Sequence, residues 1–422
     1  MSSSLNEIIH FIEKSSTAFH AVDNVKKLLE DNGYCRCREG RLNEKEGLSG
    51  FKGGYFIRNA SSLIAFCLPK KEAKGFRIMA SHADSPCFKI KTKPEIKVED
   101  AYVKLNVEKY GGMILSSWLD RPLGIAGRVI VKEKGKYISR LVNLKKCAVI
   151  PNVAIHFNRE INKGFEYNPQ TDLLPLFSGS KNKKLYSVIA KETGIPENEI
   201  LGDDLYLYAD QTPVTAGSDN EFIISPRLDD LECAYSTLKG FLKGNPKEYI
   251  SVYCLFNNEE VGSCTEQGAD SDFSQRILKE IWSFSKCSKN FERALTDSFL
   301  LSADNAHALH PNHPEKSDIT NKPYLNSGIV LKFNGNAHYT TDAYSQAFVT
   351  DICRQNNIPL QTFANRSDIQ GGSTLGNIMM SHVSLPSADI GLPQLAMHSA
   401  VETAGVMDIQ NMIKLSEKFY NN

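Results

Sequence analysis

The sequence of 422 residues has no excess of charge of either sign and no apolar run long enough to cross a bilayer. Lys and Arg together number 49, as do Asp and Glu, so the composition gives no argument for nucleic acid or an anionic membrane as a partner. The first seven residues lack the charged and apolar regions of a signal peptide. We therefore expect a cytoplasmic protein that binds neither nucleic acid nor a membrane.

Closely spaced cysteines are also lacking. The ten cysteines include no Cys-x-x-Cys pair, and the nearest spacing is Cys35-x-Cys37. A chain of this length without a secretion signal needs no disulfide framework, and the spacing disfavours a thiolate zinc site. We expect reduced, mostly buried thiols.

The hydrophobic pattern changes twice along the chain. Residues 5–32 carry apolar positions at helical spacing, and 76–80 form a strand-like run. From about Lys89, short alternating strands separated by glycines and charged turns favour an antiparallel β module. An α/β rhythm returns after 223–226. The pattern predicts an α/β fold in two sequence pieces, 1–91 and 221–422, with an inserted β-rich domain at 92–220.

The most informative stretch is an apolar run, 251–256, that leads into Asn257-Asn258-Glu259-Glu260. Adjacent residues within a strand point to opposite faces, but the backbone turns where a strand ends. Two adjacent acids can then serve one site, one binding a metal and the other moving a proton. Metal-assisted hydrolysis requires that division of roles.

Other predicted strands also end at polar side chains: His82 and Asp84, Asp229 and Asp230, Asp304, and His398. Because strand ends share one edge of an open α/β sheet, where ligands bind, we expect these side chains to lie together. Imidazoles and carboxylates without sulfur suit zinc, cobalt or manganese at a catalytic site.

These residues fit a pair of divalent ions about 3.5–4 Å apart. Asp229 is the candidate to bridge both ions. Two further ligands would complete each ion: His82 and Asp304 on one, Glu260 and His398 on the other. Glu259 is then the unligated general base, and Asp84 is placed to accept the ring N–H of His82.

Each residue also has a simpler interpretation. His82 could be a hydrogen-bonded core histidine, Asp229-Asp230 could cap the following helix, and Asp304 could merely begin a turn. The metal interpretation is favoured because the candidates fall at equivalent points of the predicted topology.

Over nearly its whole length the chain resembles the M18 metallopeptidases, the aspartyl aminopeptidase family of co-catalytic zinc aminopeptidases. The blocks that carry the resemblance follow one another in the family's order: Phe19–Val22, Gly53–Asn59, Ser81–Cys87, Trp118–Leu123, Ala126–Val129, Ile150–His156, Ser225–Leu231, Asn258–Ser263, Ser302–His307 and Gln394–Ser399. The stretch 366–374 resembles the bacterial-type branch of the family. Asp230 and Ala83 stand where the family often has Asn and Thr, and neither departure affects a proposed ligand.

The resemblance implies a phosphorylase/hydrolase-like zinc-peptidase domain with an inserted barrel-like dimerisation domain. It also implies two zinc ions per subunit and a tetrahedral homododecamer built from dimers. The family motifs give the same metal ligands and the same base as the residues do. Two substrate-binding residues follow from the resemblance alone: His156, which would reach into a neighbouring subunit's active site, and Lys332 in the substrate pocket.

The sequence thus predicts a dinuclear zinc aminopeptidase that hydrolyses peptides with a free N-terminus, with cobalt or manganese as substitutes for zinc. The resemblance extends this expectation to N-terminal Asp or Glu. The enzyme alternatives are a glutamyl-type or neutral-residue co-catalytic metallo-aminopeptidase and a deacylase. The non-enzyme alternative is a catalytically silent oligomeric binding shell, which would have no need of Glu259 beside Glu260.

Overall fold

The first two helices follow the helical spacing of the N-terminal apolar residues. The computed structural model describes residues 3–42, 48 and 50–422. In it α1 spans Ser3–Lys14 and α2 spans Ala18–Asp31, separated by Ser15-Ser16-Thr17. Met1 and Ser2, part of the stretch used to judge the signal peptide, lie outside the described residues.

The other helices and the strands alternate along most of the chain. The helices are α3 Leu185–Thr193, α4 Leu228–Lys243, α5 Phe273–Ser285, α6 Phe291–Thr296, α7 Ala343–Gln355, α8 Leu375–Met380 and α9 Val406–Asn421. The strands of the first half are β1 Tyr34–Arg36, β2 Gly53–Arg58, β3 Ser62–Cys67, β4 Phe76–His82, β5 Cys87–Val98, β6 Tyr102–Tyr110, β7 Leu123–Glu133, β8 Lys136–Ala148, β9 Leu176–Ser178 and β10 Gly202–Ala209. Those of the second half are β11 Val214–Ala216, β12 Phe222–Ser225, β13 Ile250–Phe256, β14 Phe299–Ala303, β15 Ala306–His307, β16 Ile329–Phe333, β17 Leu360–Ala364, β18 Ser387–Gly391, β19 Pro393–Leu395 and β20 Glu402–Gly405.

The chain forms two units. The first contains the chain up to Asp84, then Pro213–Met397 and Glu402–Asn422; the second contains Ser85–Thr212 and His398–Val401. The main segment of the second unit, Ser85–Thr212, therefore begins and ends earlier in the chain than the predicted 92–220, and the predicted domain division stays a prediction.

A nine-stranded mixed sheet lies at the centre of the first unit, within the described residues. Its order is β1-β2-β3-β13-β4-β14-β18-β16-β17, and β4 runs parallel to both β13 and β14. Alternate residues of β4 enter different cores: Met79 belongs to the core that contains residues of α1, α2, α4, α7 and α9, whereas Ile78 and Ala80 belong to the core that contains residues of α5, α6 and α8. Burial on both faces explains why these strands read as continuous apolar runs.

A separate sheet of five strands also belongs to the first unit, in the order β11-β12-β20-β19-β15. Its strand β12 pairs with β20, which lies far away in sequence: Ser225 pairs with Glu402. This sheet corrects one expectation, because β12 and β19, which precede Asp229 and His398, lie outside the main sheet.

The second unit is built on an antiparallel sheet in the order β8-β7-β10-β5-β6-β9. A bridge between Val149, just after β8, and Leu176 in β9 joins its two edges, so the sheet is nearly closed and barrel-like. The predicted β-rich region therefore contains such a sheet, and the chain as a whole is mixed α/β.

All ten cysteines are free. Cys67, Cys233, Cys254 and Cys353 are buried and Cys264 is exposed, so the expectation of mostly buried thiols is met only in part. Where the chain is described, every helix is too short or too polar to cross a membrane.

Candidate metal centre

Three neighbouring parallel strands of the main sheet bring predicted ligands to one edge. His82 is the last residue of β4 and pairs in register with Phe256 of β13. Glu259 and Glu260 begin a short 3₁₀ turn after β13, and Asp304 directly follows β14. The common direction of these strands explains why side chains so far apart in sequence meet.

Asp229 and Asp230 come to the same place from the start of α4. Their backbone angles are not helical (φ −81°, ψ 110° and φ −116°, ψ 23°), and Arg227 before them is left-handed with φ 57°. The chain therefore kinks at these two residues. Regular helical geometry therefore begins only after this pair, at Leu231.

His82 directs one ring nitrogen towards two carboxylates. Its Nδ1 lies 3.0 Å from the main-chain carbonyl of Asp84, and since a carbonyl only accepts, Nδ1 carries the proton. Nε2 lies 3.5 Å from Asp229 Oδ1 and 3.8 Å from Asp304 Oδ1. Nε2 is therefore unprotonated in the neutral imidazole, the form that binds a metal, and it faces two carboxylates that could bind the same ion.

Asp84 makes different contacts from those expected. Its carboxylate Oδ1 lies 3.6 Å from His82 Nδ1, whereas the main-chain carbonyl oxygen of Asp84 lies 3.0 Å from the same nitrogen. The carboxylate instead accepts the backbone N–H groups of Glu259 and Glu260, each at 3.2 Å. Asp84 therefore holds the turn that presents both glutamates.

Asp230 belongs to the same cluster, although the sequence did not single it out as a ligand. Donor atoms of His82, Asp229, Asp230 and Asp304 all lie within 4.8 Å of one another. The Asp230 carboxylate accepts the backbone N–H of His82 at 3.1 Å and is buried. Its position beside Asp229 was the available signal, but adjacency alone does not distinguish a ligand from a supporting residue.

The site concentrates negative charge around one imidazole. Donor atoms of His82, Glu259 and Glu260 form a second group within 4.8 Å. Burial raises the pKa of Glu259 to about 8; His82 opposes this shift, and Asp304 and Asp84 add to it. Burial and Asp229 likewise raise the pKa of Glu260 well above its usual range. A buried cation stabilises such a cluster of carboxylates.

Lys332 in β16 is only 2% exposed. Its Nζ lies 3.7 Å from Asp304 Oδ2 and 5.3 Å from the centre of the Tyr339 ring. Burial lowers the pKa of Lys332, but Asp304 and Tyr339 outweigh it, so the net shift is upward. The lysine is therefore charged and lies beside a proposed metal ligand.

Two predicted site residues belong to the second unit. His156 is exposed in a turn. His398 has a left-handed φ of 67° and begins the segment His398–Val401, and its carbonyl accepts the N–H of Ile114 at 3.0 Å. The functional roles of both histidines remain proposals.

Part of the stretch 366–374, namely Arg366 and residues 369–372, lines a cavity of about 420 Å³ in the first unit, together with His307 and Phe363. A Cβ on Gly371 in this wall would lie 2.5 Å from Asn365 Oδ1, so a side chain there would require Asn365 to shift.

Buried carboxylates around an imidazole, at the carboxyl ends of parallel strands, are typical of metal-dependent α/β hydrolases. Within that class the chain belongs to the M18 family, because the family model of the aminopeptidase I zinc metalloproteases (M18) matches residues 11–420.

Individual relatives agree with this assignment. The chain is 44% identical to the probable M18 family aminopeptidase 2 of Clostridium novyi (strain NT). The alignment is 427 residues long and covers 99% of this chain and 98% of the relative. It resembles a chain in the cryo-EM structure of the Ape4 and Nbr1 complex, with a TM-score of 0.93 and 32% identity, covering 98% of this chain and 85% of that one. It also resembles the S. cerevisiae mApe1 dodecamer, with a TM-score of 0.86 and 27% identity, covering 99% and 96%.

The predicted family is confirmed, and with it the enzyme class of metallo-aminopeptidases, which are hydrolases. Zinc is the metal of the family model. The number of ions, the individual ligands and the preferred N-terminal residue stay predictions.

Proposed function

We propose that this protein is a dinuclear zinc aminopeptidase that removes N-terminal residues from peptides with a free N-terminus. The supporting observation is the cluster in which buried His82 meets the carboxylates of buried Asp229 and Asp304 and of half-buried Glu259 and Glu260. Zinc fits this donor set, because oxygen and imidazole donors without sulfur are typical of catalytic zinc sites. Two such ions would also offset the buried negative charge.

In this proposal Asp229 would be shared by both ions, His82 and Asp304 would complete the ligands of one, and Glu260 and His398 those of the other. The distances from His82 Nε2 to Asp229 and Asp304 support the first set. His398 is assigned from its place in the Gln394–Ser399 motif. Cobalt or manganese would serve as substitutes, because both accept the same donors.

Zinc, when bound, polarises the scissile carbonyl and acidifies water. In our mechanism Glu259 takes the proton from the attacking water at its carboxylate and returns it to the leaving amine. Asp84 contributes by fixing the backbone of the Glu259-Glu260 turn.

We further propose that the β-rich region at 92–220 is an inserted dimerisation domain on a phosphorylase/hydrolase-like catalytic domain, and that dimers assemble into a tetrahedral homododecamer. Val153, Ile155 and Phe157 support self-association, because they expose 57%, 53% and 86% of their surface in one short stretch. His156 lies within this stretch and would reach a neighbouring active site. The free cysteines support a cytoplasmic location.

For the substrate we consider two N-terminal residue classes. Buried Lys332 supports Asp or Glu, whose carboxylate would pair with the ammonium group. The alternative, a neutral residue, is supported by Asp304, which lies 3.7 Å from Lys332 Nζ and already offsets its charge.

The variant Glu259→Gln tests the mechanism. We expect kcat/KM to fall by about 10²–10⁴-fold, the usual contribution of a general base, while bound zinc stays near two ions per chain. Zinc content and hydrolysis are measured on the same preparation. The exposed Glu266→Gln, in the same loop, is the matched control and should keep full activity. Full activity in Glu259→Gln would rule out Glu259 as the base. Loss of zinc from this variant would indicate that Glu259 is a metal ligand.

The same assay is extended to peptides that begin with Asp, Glu, Ala or Leu, and to N-blocked substrates. Tenfold faster cleavage after Asp and Glu would support the acidic preference, and the reverse order the neutral one. Cleavage of N-blocked substrates alone would indicate a deacylase. Failure to cleave any of these substrates with zinc, cobalt or manganese supplied would indicate a catalytically silent binding shell.

A further inference from the structure

The peptide group between Leu228 and Asp229 carries the proposed bridging ligand but does not have regular helical geometry. Asp229 and Asp230 depart from helical angles, and Arg227 is left-handed. The first N–H groups of a helix also have no partner within the helix. The position of Asp229 therefore depends on contacts from outside α4.

Two buried side chains from other elements hold both polar groups of this peptide. Asn305 Nδ2 donates to the Leu228 carbonyl oxygen at 3.1 Å. Glu402 Oε2 accepts the Asp229 N–H at 3.1 Å. Asn305 and Glu402 are 3% and 2% exposed, so water does not compete for these hydrogen bonds.

Asn305 is itself fixed by further contacts. Its Nδ2 donates to Gln394 Oε1 at 2.5 Å, and its Oδ1 accepts the Cys233 thiol at 3.0 Å. Asn305 also directly follows Asp304, so it joins the backbone that carries Asp304 to the peptide that carries Asp229. These two aspartates are the ones that face His82 Nε2.

We propose that Asn305 and Glu402 are positioning residues that fix the Leu228–Asp229 peptide and, through it, the spacing of the Asp229 and Asp304 carboxylates. In this proposal neither side chain binds a metal ion or the substrate. The inference rests on the proposed function in one respect, that Asp229 and Asp304 bind zinc. Residues that orient a metal ligand in this way typically change metal affinity or activity by about 10–100-fold.

The test compares Glu402→Leu and Asn305→Ala with the conservative Glu402→Gln, whose amide oxygen still accepts the Asp229 N–H. The matched control is Asp408→Ala, which removes a buried carboxylate that holds a different backbone, the N–H groups of Asn326 and Gly328 at 2.6 Å and 2.7 Å. Zinc retention is measured against a competing chelator. The values of kcat and KM are measured after reconstitution with zinc, and thermal unfolding is measured on the metal-free protein.

We expect Glu402→Leu and Asn305→Ala to bind zinc about 10–100-fold more weakly, with kcat reduced more than KM is changed. Glu402→Gln should bind zinc like the wild type, and Asp408→Ala should lose stability but keep its zinc affinity. Wild-type zinc affinity in Glu402→Leu and Asn305→Ala, or equal weakening in Asp408→Ala, would overturn the proposal. If Glu402→Leu does not fold, the zinc affinity of Asn305→Ala decides.

Failure of this proposal is distinguishable from failure of the mechanism. An active Glu259→Gln variant would remove the proposed base but leave these zinc affinities unaffected.

Discussion

At the scale of single residues, the aspartates of the site divide into those that face the imidazole nitrogen and those that hold the backbone. Asp229 and Asp304 face His82 Nε2. Asp84 and Asp230 instead accept backbone N–H groups of residues that carry the proposed ligands and base. A substitution of the second kind should therefore act by moving a neighbour.

The raised pKa of Glu259 predicts that the metal-free protein is less stable near pH 8 than near pH 5. Burial raises this pKa from 4.5 to about 8, so between these values the folded state keeps a proton that the unfolded state has released. Stability then falls as the pH rises through this window, by a few kcal/mol, since one pKa unit corresponds to about 1.4 kcal/mol.

Thermal unfolding of metal-free and zinc-loaded protein at both pH values measures this effect. The decrease should be smaller in the zinc-loaded protein, because the cation replaces the proton in offsetting the carboxylates. In metal-free Glu259→Gln the decrease should also be smaller, since glutamine does not titrate. A metal-free wild type whose Tm is the same at both pH values would contradict the prediction.

Residue types at the site could be predicted from the sequence, whereas several contacts could not. Strand-end positions indicated His82, Glu259, Glu260 and Asp304 because their strands are strongly apolar. Which oxygen of Asp84 accepts the His82 proton depends on the backbone path after β4, which no local pattern encodes. Asn305 and Glu402 were missed for the same reason: their partners come from distant parts of the chain.

At the scale of elements, three parallel strands and one helix start place the site. The apolar runs of β4 and β13 predicted the strands well, because burial on both faces leaves a continuous signal. The division of strands between two sheets could not be predicted. β12 belongs to the smaller sheet because it pairs with β20, some 180 residues later in the chain, and local sequence does not specify such long-range pairing.

Helix α4, which begins with the site, packs closely against α9 at Gly240. A Cβ at Gly240 would lie 2.2 Å from Ser416 Cβ and 2.7 Å from the backbone N of Glu417. We expect Gly240→Ala to lower the free energy of unfolding by about 1–3 kcal/mol, because α9 has to move. Urea unfolding measures the change.

Helix propensity alone predicts the opposite sign, since Ala is favoured over Gly by about 1 kcal/mol. Lys243→Ala, at an exposed position in the last turn of the same helix, is the control and should change stability by less than about 0.5 kcal/mol. A stabilised Gly240→Ala variant would show that α9 accommodates the methyl group.

At the scale of the whole molecule, the proposed assembly would complete each active site with His156 from a neighbour. Twelve chains of 47.0 kDa would give particles of about 560 kDa, measurable by native mass spectrometry. We expect His156→Ala and Glu259→Gln to be weakly active alone. Coexpressed, they should regain roughly a quarter of wild-type activity, because random pairing across a two-fold interface restores one site in each mixed dimer.

Two differently tagged Glu259→Gln chains, coexpressed in the same way, are the control and should regain nothing. Absence of recovery in mixed assemblies of the expected mass would place the action of His156 within its own subunit.

Both hydrogen-bonding edges of the central strand β4 pair with strands that come much later in the chain, β13 and β14. Phe76–His82 leaves the ribosome before residues 85–212 of the second unit, and only then follow β13 at Ile250 and β14 at Phe299. During that interval an apolar strand has both hydrogen-bonding edges unpaired, the condition under which nascent chains aggregate. Translation rate and chaperone supply should therefore influence the yield of this protein through β4.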